Sequence, residues 1–203
     1  MNYLGHLFLS RQHPELMPGV FLGDHVKGKL PGNTSDVIEQ GIRFHRAVDV
    51  FVDSSPLQQR SIDRFEHKYR RYGGIICDII YDYHLATHWD KFNDATLPEF
   101  CQHAYGAVLD QADRLSATAH TTALRMQANQ SLENYGSRAY VERSLNHLSQ
   151  RLTRRNPLAE AVVLFDQLET ELSEDFLEFI PSAIAFADQW LAANQTNAAP
   201  QKY

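Results

Sequence analysis

Cysteine is scarce in this sequence: only Cys77 and Cys101 occur among 203 residues. Two cysteines without a recognisable spacing exclude a disulfide framework and a thiolate zinc cage, so we expect a protein of the reducing cytoplasm. Long apolar runs are also missing, since none approaches the roughly 20 residues that cross a bilayer. The apolar opening MNYLGHLFLS lacks a basic leader and is too short for a secretory signal. We therefore predict a buried first helix there and no association with a membrane.

Runs that alternate apolar and polar residues, the pattern of a half-buried strand, are hard to find as well. Apolar residues recur instead at helical spacing, as at Leu164, Leu168, Leu172 and Phe176. Proline and glycine predict where helices start or bend, at Pro31-Gly32, Pro56, Gly73-Gly74, Pro98, Pro157 and Pro181. We predict an all-α, single-domain bundle of about seven or eight helices over residues 1–192, with a polar tail over 193–203.

The formal net charge of −6 disfavours general nucleic-acid binding, because a phosphate backbone requires a basic surface. The charges are unevenly spread, however. Five arginines lie close together in the sequence: Arg138, Arg143, Arg151, Arg154 and Arg155. A single acid, Glu142, lies among them, whereas the stretch 157–180 holds seven acids and no base. Such asymmetry can orient a charged macromolecular partner, although two solvated helix faces that partly neutralise each other explain it equally well.

A histidine and an aspartate lie on one face of the helix predicted from Ser35, its N-cap, to Val50. His45 and Asp49 are four residues apart, and Ile38 continues their face of the helix. A buried charge without a partner is costly, and a divalent metal ion is one such partner. The simpler interpretation is an ordinary His–Asp pair on an exposed helix face.

Two aspartates interrupt the apolar run IICDIIYDYHLATHW. Asp78 and Asp82 are again four residues apart, and carboxylates on one helix face repel each other unless a cation or an arginine lies between them. His84 and His88 follow, but His84 lies on a different face of the helix. The paired aspartates favour a functional site over a solvated surface.

Two more polar residues lie in apolar company, His6 in NYLGHLFL and Asp24 in GVFLGDHVKG. Each alone is more often a buried polar group with a partner, or a helix cap, than a metal ligand. Together, four segments each bring histidine or aspartate into apolar surroundings. Mixed imidazole and carboxylate ligands suit Mn²⁺, Mg²⁺ or Fe²⁺ better than a structural zinc ion.

Four blocks between Met1 and Trp89 carry a family resemblance: MNYLGHLFLS, GVFLGDHVKG, GIRFHRAVDVFVDSSP and FEHKYRRYGGIICDIIYDYHLATHW. In order and spacing they resemble acyl carrier protein phosphodiesterases. The resemblance implies an HD-domain-like helical phosphohydrolase that requires Mn²⁺ or a similar ion. It also implies the reaction, which is removal of the 4′-phosphopantetheine arm from holo acyl carrier protein to give the apo form.

The resemblance also implies functional residues. The matching positions are Asp24, His45, Arg46, Asp49, Arg70, Arg71, Asp78, Asp82 and His88, whereas His84 matches none. The predicted catalytic residues are Asp24, His45, Arg46, Asp78 and His88. The predicted metal ligands are His6, Asp24, His45, Asp49, Asp78 and Asp82. The predicted phosphate-binding residues are Lys27, Arg43, Arg46 and Arg71. The chain departs from the HD pattern at Asp24-His25, which reverses the order of a His-Asp pair.

The predicted reaction combines a metal-activated water with protonation of the leaving serine oxygen by His88 or a carboxylate-held water. Because the carrier protein is acidic, a basic surface must receive it: either Lys27 and Lys29 or the arginines of 138–155. Two other functions remain open at this point. One is a phosphohydrolase with a nucleotide substrate, and the other is a carrier-protein binding module that has lost catalysis. A purely structural bundle would leave Asp78 and Asp82 unexplained.

Overall fold

The computed structural model describes residues 1–33 and 36–194, and over these ranges the chain is helical without any strand. Its helices are α1 (Tyr3–Leu9), α2 (Met17–Leu22), α3 (Val37–Asp53), α4 (Pro56–Arg64), α5 (His67–Arg70), α6 (Gly73–Thr87), α7 (Leu97–Leu109), α8 (Ala117–Ala128), α9 (Arg138–Arg151) and α10 (Val162–Asn194). Short 3₁₀ turns join several of them.

The all-α prediction is confirmed, although ten α-helices replace the seven or eight expected in the part of the chain that the structure describes. The difference comes mainly from short segments such as α2 and the four-residue α5, because helices of one turn have too few residues to show a period. The likeness to HD-domain proteins stays a prediction. Over the same described ranges, no helix is long and apolar enough to cross a membrane.

The structure agrees with the helix boundary predicted at Pro56 and differs from the one predicted at Pro181. Pro56 begins α4, and the preceding Ser55 side chain accepts a hydrogen bond from the backbone of that helix. The predicted N-cap Ser35 lies outside the described residues, and Asp36 caps α3 by accepting from the Ile38 amide at 2.9 Å. Pro181 lies inside α10, and the backbone bend of that helix is at Leu168 instead. Of the predicted tail, residues 193 and 194 end α10, and 195–203 lie outside the described ranges.

Two apolar clusters form the core, and α6 contributes to both. The larger cluster contains Tyr81 and Leu85 of α6 together with residues of α1, α2, α3, α7, α8 and α10. The smaller one contains Ile76 and Ile80 with residues of α9 and the start of α10. Because its neighbours cover most of its surface, α6 buries polar side chains such as Asp82 and His84 along with its apolar ones.

The crossing of α2 and α3 is unusually close, since glycines face each other there. A Cβ atom on Gly19 would collide with the Ile38 carbonyl oxygen, and one on Gly41 would collide with that of Leu16. Further along the same interface, a Cβ atom on Gly23 would collide with the His45 imidazole. This close approach sets the C-terminal end of α2 directly against His45.

Candidate metal centre

A cluster of His6, His45 and Asp49 joins α1 to α3. One possible ligand atom from each residue lies within 4.8 Å of the others. The two imidazole rings are parallel, with centroids 3.8 Å apart. His6 Nε2 lies 3.1 Å from Asp49 Oδ1, and His45 Nε2 lies 3.3 Å from Asp49 Oδ2. The histidine side chains are 3% exposed and that of Asp49 is 46% exposed, so the cluster opens to solvent at the carboxylate.

The hydrogen bonds of His45 determine which nitrogen is available to a ligand. Its Nδ1 lies 2.9 Å from the Val20 carbonyl oxygen, and because a carbonyl only accepts, Nδ1 must donate. In the neutral ring the lone pair is then on Nε2, which faces Asp49 and, at 3.8 Å, Asp24. The lone pair on Nε2 and the two carboxylates repel one another unless a proton or a cation lies between the nitrogen and the carboxylate oxygens. A backbone carbonyl that fixes the far nitrogen is the usual support of a metal-binding histidine.

At His6 and Asp49, electrostatics favour the protonation states that a cation needs. Burial, with the neighbouring His45 adding to it, lowers the pKa of His6 to about 4. Burial alone would raise the pKa of Asp49, but the imidazoles of His45 and His6 in contact with its carboxylate hold that pKa well below its ordinary value. Neutral imidazoles and an ionised carboxylate are the forms that bind metal ions. His6, His45 and Asp49 therefore form a group that can hold a metal ion. Among the described residues, His6 Nδ1 has no hydrogen-bond partner.

The loop after α2 brings Asp24 to the rim of this cluster. Asp24 and Lys27 are exposed. Arg46, which neighbours His45 in sequence, points toward this loop and donates to the carbonyls of Val26 and Gly28 at 2.9 Å each. The geometry thus makes Arg46 a residue that positions the loop.

Asp78 and Asp82 contact the first residues of the chain rather than the three clustered ligands. Asp78 Oδ1 lies 2.6 Å from the amino group of Met1. Asp82 is fully buried and accepts from the amides of Asn2 and Gly5, both at 3.2 Å. Burial raises the pKa of Asp82 to about 7. Their predicted role as metal ligands stays a prediction.

The structure does not bring three other predicted residues to the cluster. His88 Nε2 lies 2.9 Å from Ser173 Oγ of α10. Arg43 pairs with Glu39 on its own helix, with Nη2 and Oε1 2.5 Å apart. Arg71 is exposed. None of the three lines the cavity that opens next to Asp24.

That cavity has a volume of about 950 Å³ and lies between the start of α1, the loop after α2, and α6, α8 and α9. Asp24, Lys27 and Asp78 line it on the side of the cluster. Residues of α9 line it as well. Its size falls within the range of small-molecule binding sites.

Comparison with known proteins places the chain in a family. Residues 1–183 match the family model described as acyl carrier protein phosphodiesterase. The chain belongs to this family. It is 31% identical to the acyl carrier protein phosphodiesterase of Yersinia pestis, over 90% of this chain and 95% of that protein. It is 30% identical to the acyl carrier protein phosphodiesterase of Yersinia enterocolitica, over 92% of this chain and 97% of that protein. No solved structure matches the chain.

The resemblance predicted from the first four blocks is therefore confirmed, and the acyl carrier protein phosphodiesterase match extends well beyond them. It includes α7, α8 and α9 and ends within α10. The α9 wall of the cavity thus lies in the region that the chain shares with this family.

Three residues near the centre were missed by reasoning from the sequence. Tyr3 and His25 line the cavity, with the Tyr3 hydroxyl 3.4 Å from His25 Nε2. Asp53 lies four residues after Asp49, and its pKa is raised by burial and by the charges of Asp78 and Asp49. The four-residue spacing that indicated His45 and Asp49 continues to Asp53. Tyr3 and His25 had no such signal beyond their places in two family blocks.

His84 lies in the core and affects stability rather than the candidate centre. It is 2% exposed, its ring lies beside that of Phe176, and its Nε2 has no hydrogen-bond partner among the residues described. Burial, assisted by the charge of His88, lowers the pKa of His84 from 6.5 to about 4. Between pH 6.5 and about pH 4, His84 binds a proton in the unfolded chain but not in the folded one. The free energy of unfolding therefore falls as the pH falls through this range.

The wild type loses free energy of unfolding as the pH falls, and we expect His84→Leu to reduce this loss by up to about 3 kcal/mol. The measurement is urea unfolding of both proteins at pH 7 and pH 4.5. At pH 7 the variant should be at least as stable as the wild type, because leucine needs no hydrogen-bond partner. Parallel pH dependences in the two proteins would show that His84 does not titrate in this way.

Proposed function

We propose that this protein hydrolyses the phosphodiester that links 4′-phosphopantetheine to the serine of holo acyl carrier protein, giving the apo protein and 4′-phosphopantetheine. The observation that carries the proposal is the cluster of His6, His45 and Asp49, in which His45 Nε2 is available to a metal ion. Relatives over nine-tenths of the chain bear the name acyl carrier protein phosphodiesterase, which supports acyl carrier protein as the substrate.

The donor set supports a divalent cation as cofactor. Two imidazole nitrogens and a carboxylate oxygen would hold it, with Asp24 at the rim as a further ligand. This set suits Mn²⁺, with Mg²⁺ and Fe²⁺ as the alternatives. When bound, such an ion lowers the pKa of a water molecule and polarises a phosphoryl oxygen.

The residues around the cluster prepare the site for this chemistry. The Val20 carbonyl fixes the orientation of His45, and Asp49 contacts both histidines, so all three side chains are held in place. Burial lowers the pKa of His6 to about 4, which keeps this imidazole neutral and available as a ligand. Lys27, on the loop that Arg46 positions, supplies positive charge to the cavity.

The leaving serine oxygen needs a proton. The sequence predicts His88 as its donor, but His88 contacts Ser173 and does not line the cavity. His25 lines the cavity beside Asp24 and the Tyr3 hydroxyl. The geometry therefore supports His25 as the group that delivers this proton.

Mass spectrometry of holo acyl carrier protein incubated with the protein and Mn²⁺ tests the proposal. We expect the carrier to lose the mass of the complete 4′-phosphopantetheine group. Addition of EDTA and the substitution His45→Ala should each prevent the loss. If the arm stays intact with Mn²⁺, Mg²⁺ and Fe²⁺ alike, the proposal fails, and nucleotide phosphodiesters become the substrates to assay.

A further inference from the structure

A row of basic side chains on α9 forms one wall of the cavity. Arg143, His147 and Arg151 follow one another at four-residue spacing and therefore lie on one face of the helix. All three line the cavity. At about 1.5 Å per residue, the row extends roughly 12 Å along the helix axis. Asp24 and Asp78 line the same cavity.

The two arginines of this row lack acidic partners. Arg138, on the same helix, pairs with both Asp166 and Glu142. By contrast, neither Arg143 nor Arg151 forms an ion pair with any residue that the structure describes. Two positive charges thus line the cavity without an ion pair among the described residues, which favours an anionic ligand beside them.

Tyr3 connects this row to the candidate metal centre. Its hydroxyl lies 3.4 Å from His25 Nε2 inside the cavity. Burial and the charge of Asp24 raise the pKa of Tyr3, whereas the charge of Arg151 opposes the rise. The Tyr3 phenol is therefore within electrostatic reach of both Asp24 and Arg151. An anion in this part of the cavity would lie between the α9 row and the cluster.

The rest of the cavity wall mixes apolar and hydrogen-bonding groups. Ile79, Met126 and Leu148 provide apolar surface, and Thr122 and Ser144 provide hydroxyl groups. A flexible chain of methylene and amide groups presents the same mixture. A ligand with an anion at one end and such a chain at the other would match the cavity along its length.

We propose that this cavity binds the 4′-phosphopantetheine arm, and that Arg151, with His147 and Arg143, contacts its phosphate. The inference rests on the proposed function for the identity of the arm. It assigns to α9 the recognition of the phosphate and to the remaining wall the recognition of the pantetheine chain.

The test compares binding of 4′-phosphopantetheine and pantetheine to the full-length protein by titration calorimetry. EDTA is present, so that only the charges of the protein act on the phosphate. We expect the wild type to bind the phosphorylated ligand at least about tenfold more tightly, since hydrogen bonds between charged groups contribute strongly. The double substitution Arg143→Gln and Arg151→Gln should abolish this preference. Arg125→Gln, an exposed arginine of α8 outside the cavity lining, should preserve it.

Equal affinity of the wild type for the two ligands, or a preference that survives the double substitution, would overturn the inference. These outcomes are separate from the fate of the proposed function. A protein that cleaves holo acyl carrier protein but shows no α9-dependent phosphate preference refutes only the role of α9. A protein that shows the preference but leaves the carrier intact refutes the reaction and retains the binding site.

Discussion

Asp49→Asn is expected to abolish Mn²⁺ binding and to lower kcat/KM for holo acyl carrier protein by at least about 100-fold. Asp49 is the residue that contacts both histidines of the cluster, at 3.1 Å and 3.3 Å. Asparagine keeps the shape of the side chain but removes its charge. The cluster then offers a cation only neutral donors, apart from the more distant Asp24.

Metal content after dialysis and thermal unfolding with added Mn²⁺ measure this loss independently of turnover. At an Mn²⁺ concentration of about 100 times Kd, the wild type should gain about 2.7 kcal/mol of stability, and the variant should gain almost none. Asp63→Asn is the matched control, because Asp63 is exposed on α4 and accepts a hydrogen bond from Gln59. An Asp49→Asn protein that keeps its Mn²⁺ and its activity would place the metal elsewhere, with Asp78 and Asp82 as the next residues to replace.

Part of the candidate centre was predictable because it is local in sequence. His45 and Asp49 are four residues apart on one helix, and the structure brings them together with His6 in one group. What the sequence does not reveal is that the His6 ring stacks on that of His45. This contact depends on how α1 docks against α3, which residues far apart in the chain determine.

The contacts of Asp78 and Asp82 also involve residues far away in the sequence, which local spacing cannot reveal. Their spacing indicates that two carboxylates on one face of an apolar helix need a compensating charge. In the structure, Asp78 contacts the amino group of Met1, and Asp82 accepts from the amides of Asn2 and Gly5, about 80 residues earlier. A spacing rule within one helix cannot distinguish such partners from a metal ion.

Helix boundaries were predictable where a single residue determines the local backbone. Pro56 begins α4 because its fixed φ suits the first turn. Pro181 does not end α10, although a proline removes one backbone hydrogen bond from a helix. Phe179, Ile180 and Ala183, on either side of it, are fully buried, so tertiary packing maintains the helix through the proline.

Asp175→Ala is expected to destabilise the protein by about 3 to 4 kcal/mol, measured as the free energy of unfolding in urea at pH 7. Asp175 is 1% exposed and joins α10 to α4. It accepts hydrogen bonds from Arg60 at 2.7 Å, from Arg64 at 2.8 Å and from the Ser61 hydroxyl at 2.9 Å. Removal of the carboxylate leaves these donors without their shared acceptor at a buried helix contact.

Asp166→Ala is the matched control for Asp175→Ala, because it makes the same change on the same helix in an ion pair that is open to solvent. Asp166 pairs with Arg138, and both side chains are nearly half exposed, so we expect a much smaller loss. Burial alone would raise the pKa of Asp175, but hydrogen bonds from Arg64 and Ser61, together with the charges of Arg64 and Arg60, hold it below its usual value. Its contribution should therefore be complete at neutral pH and decrease as the pH falls below 3.8 toward that lowered pKa. Equal losses in the two variants would mean that burial of Asp175 adds nothing beyond a surface ion pair.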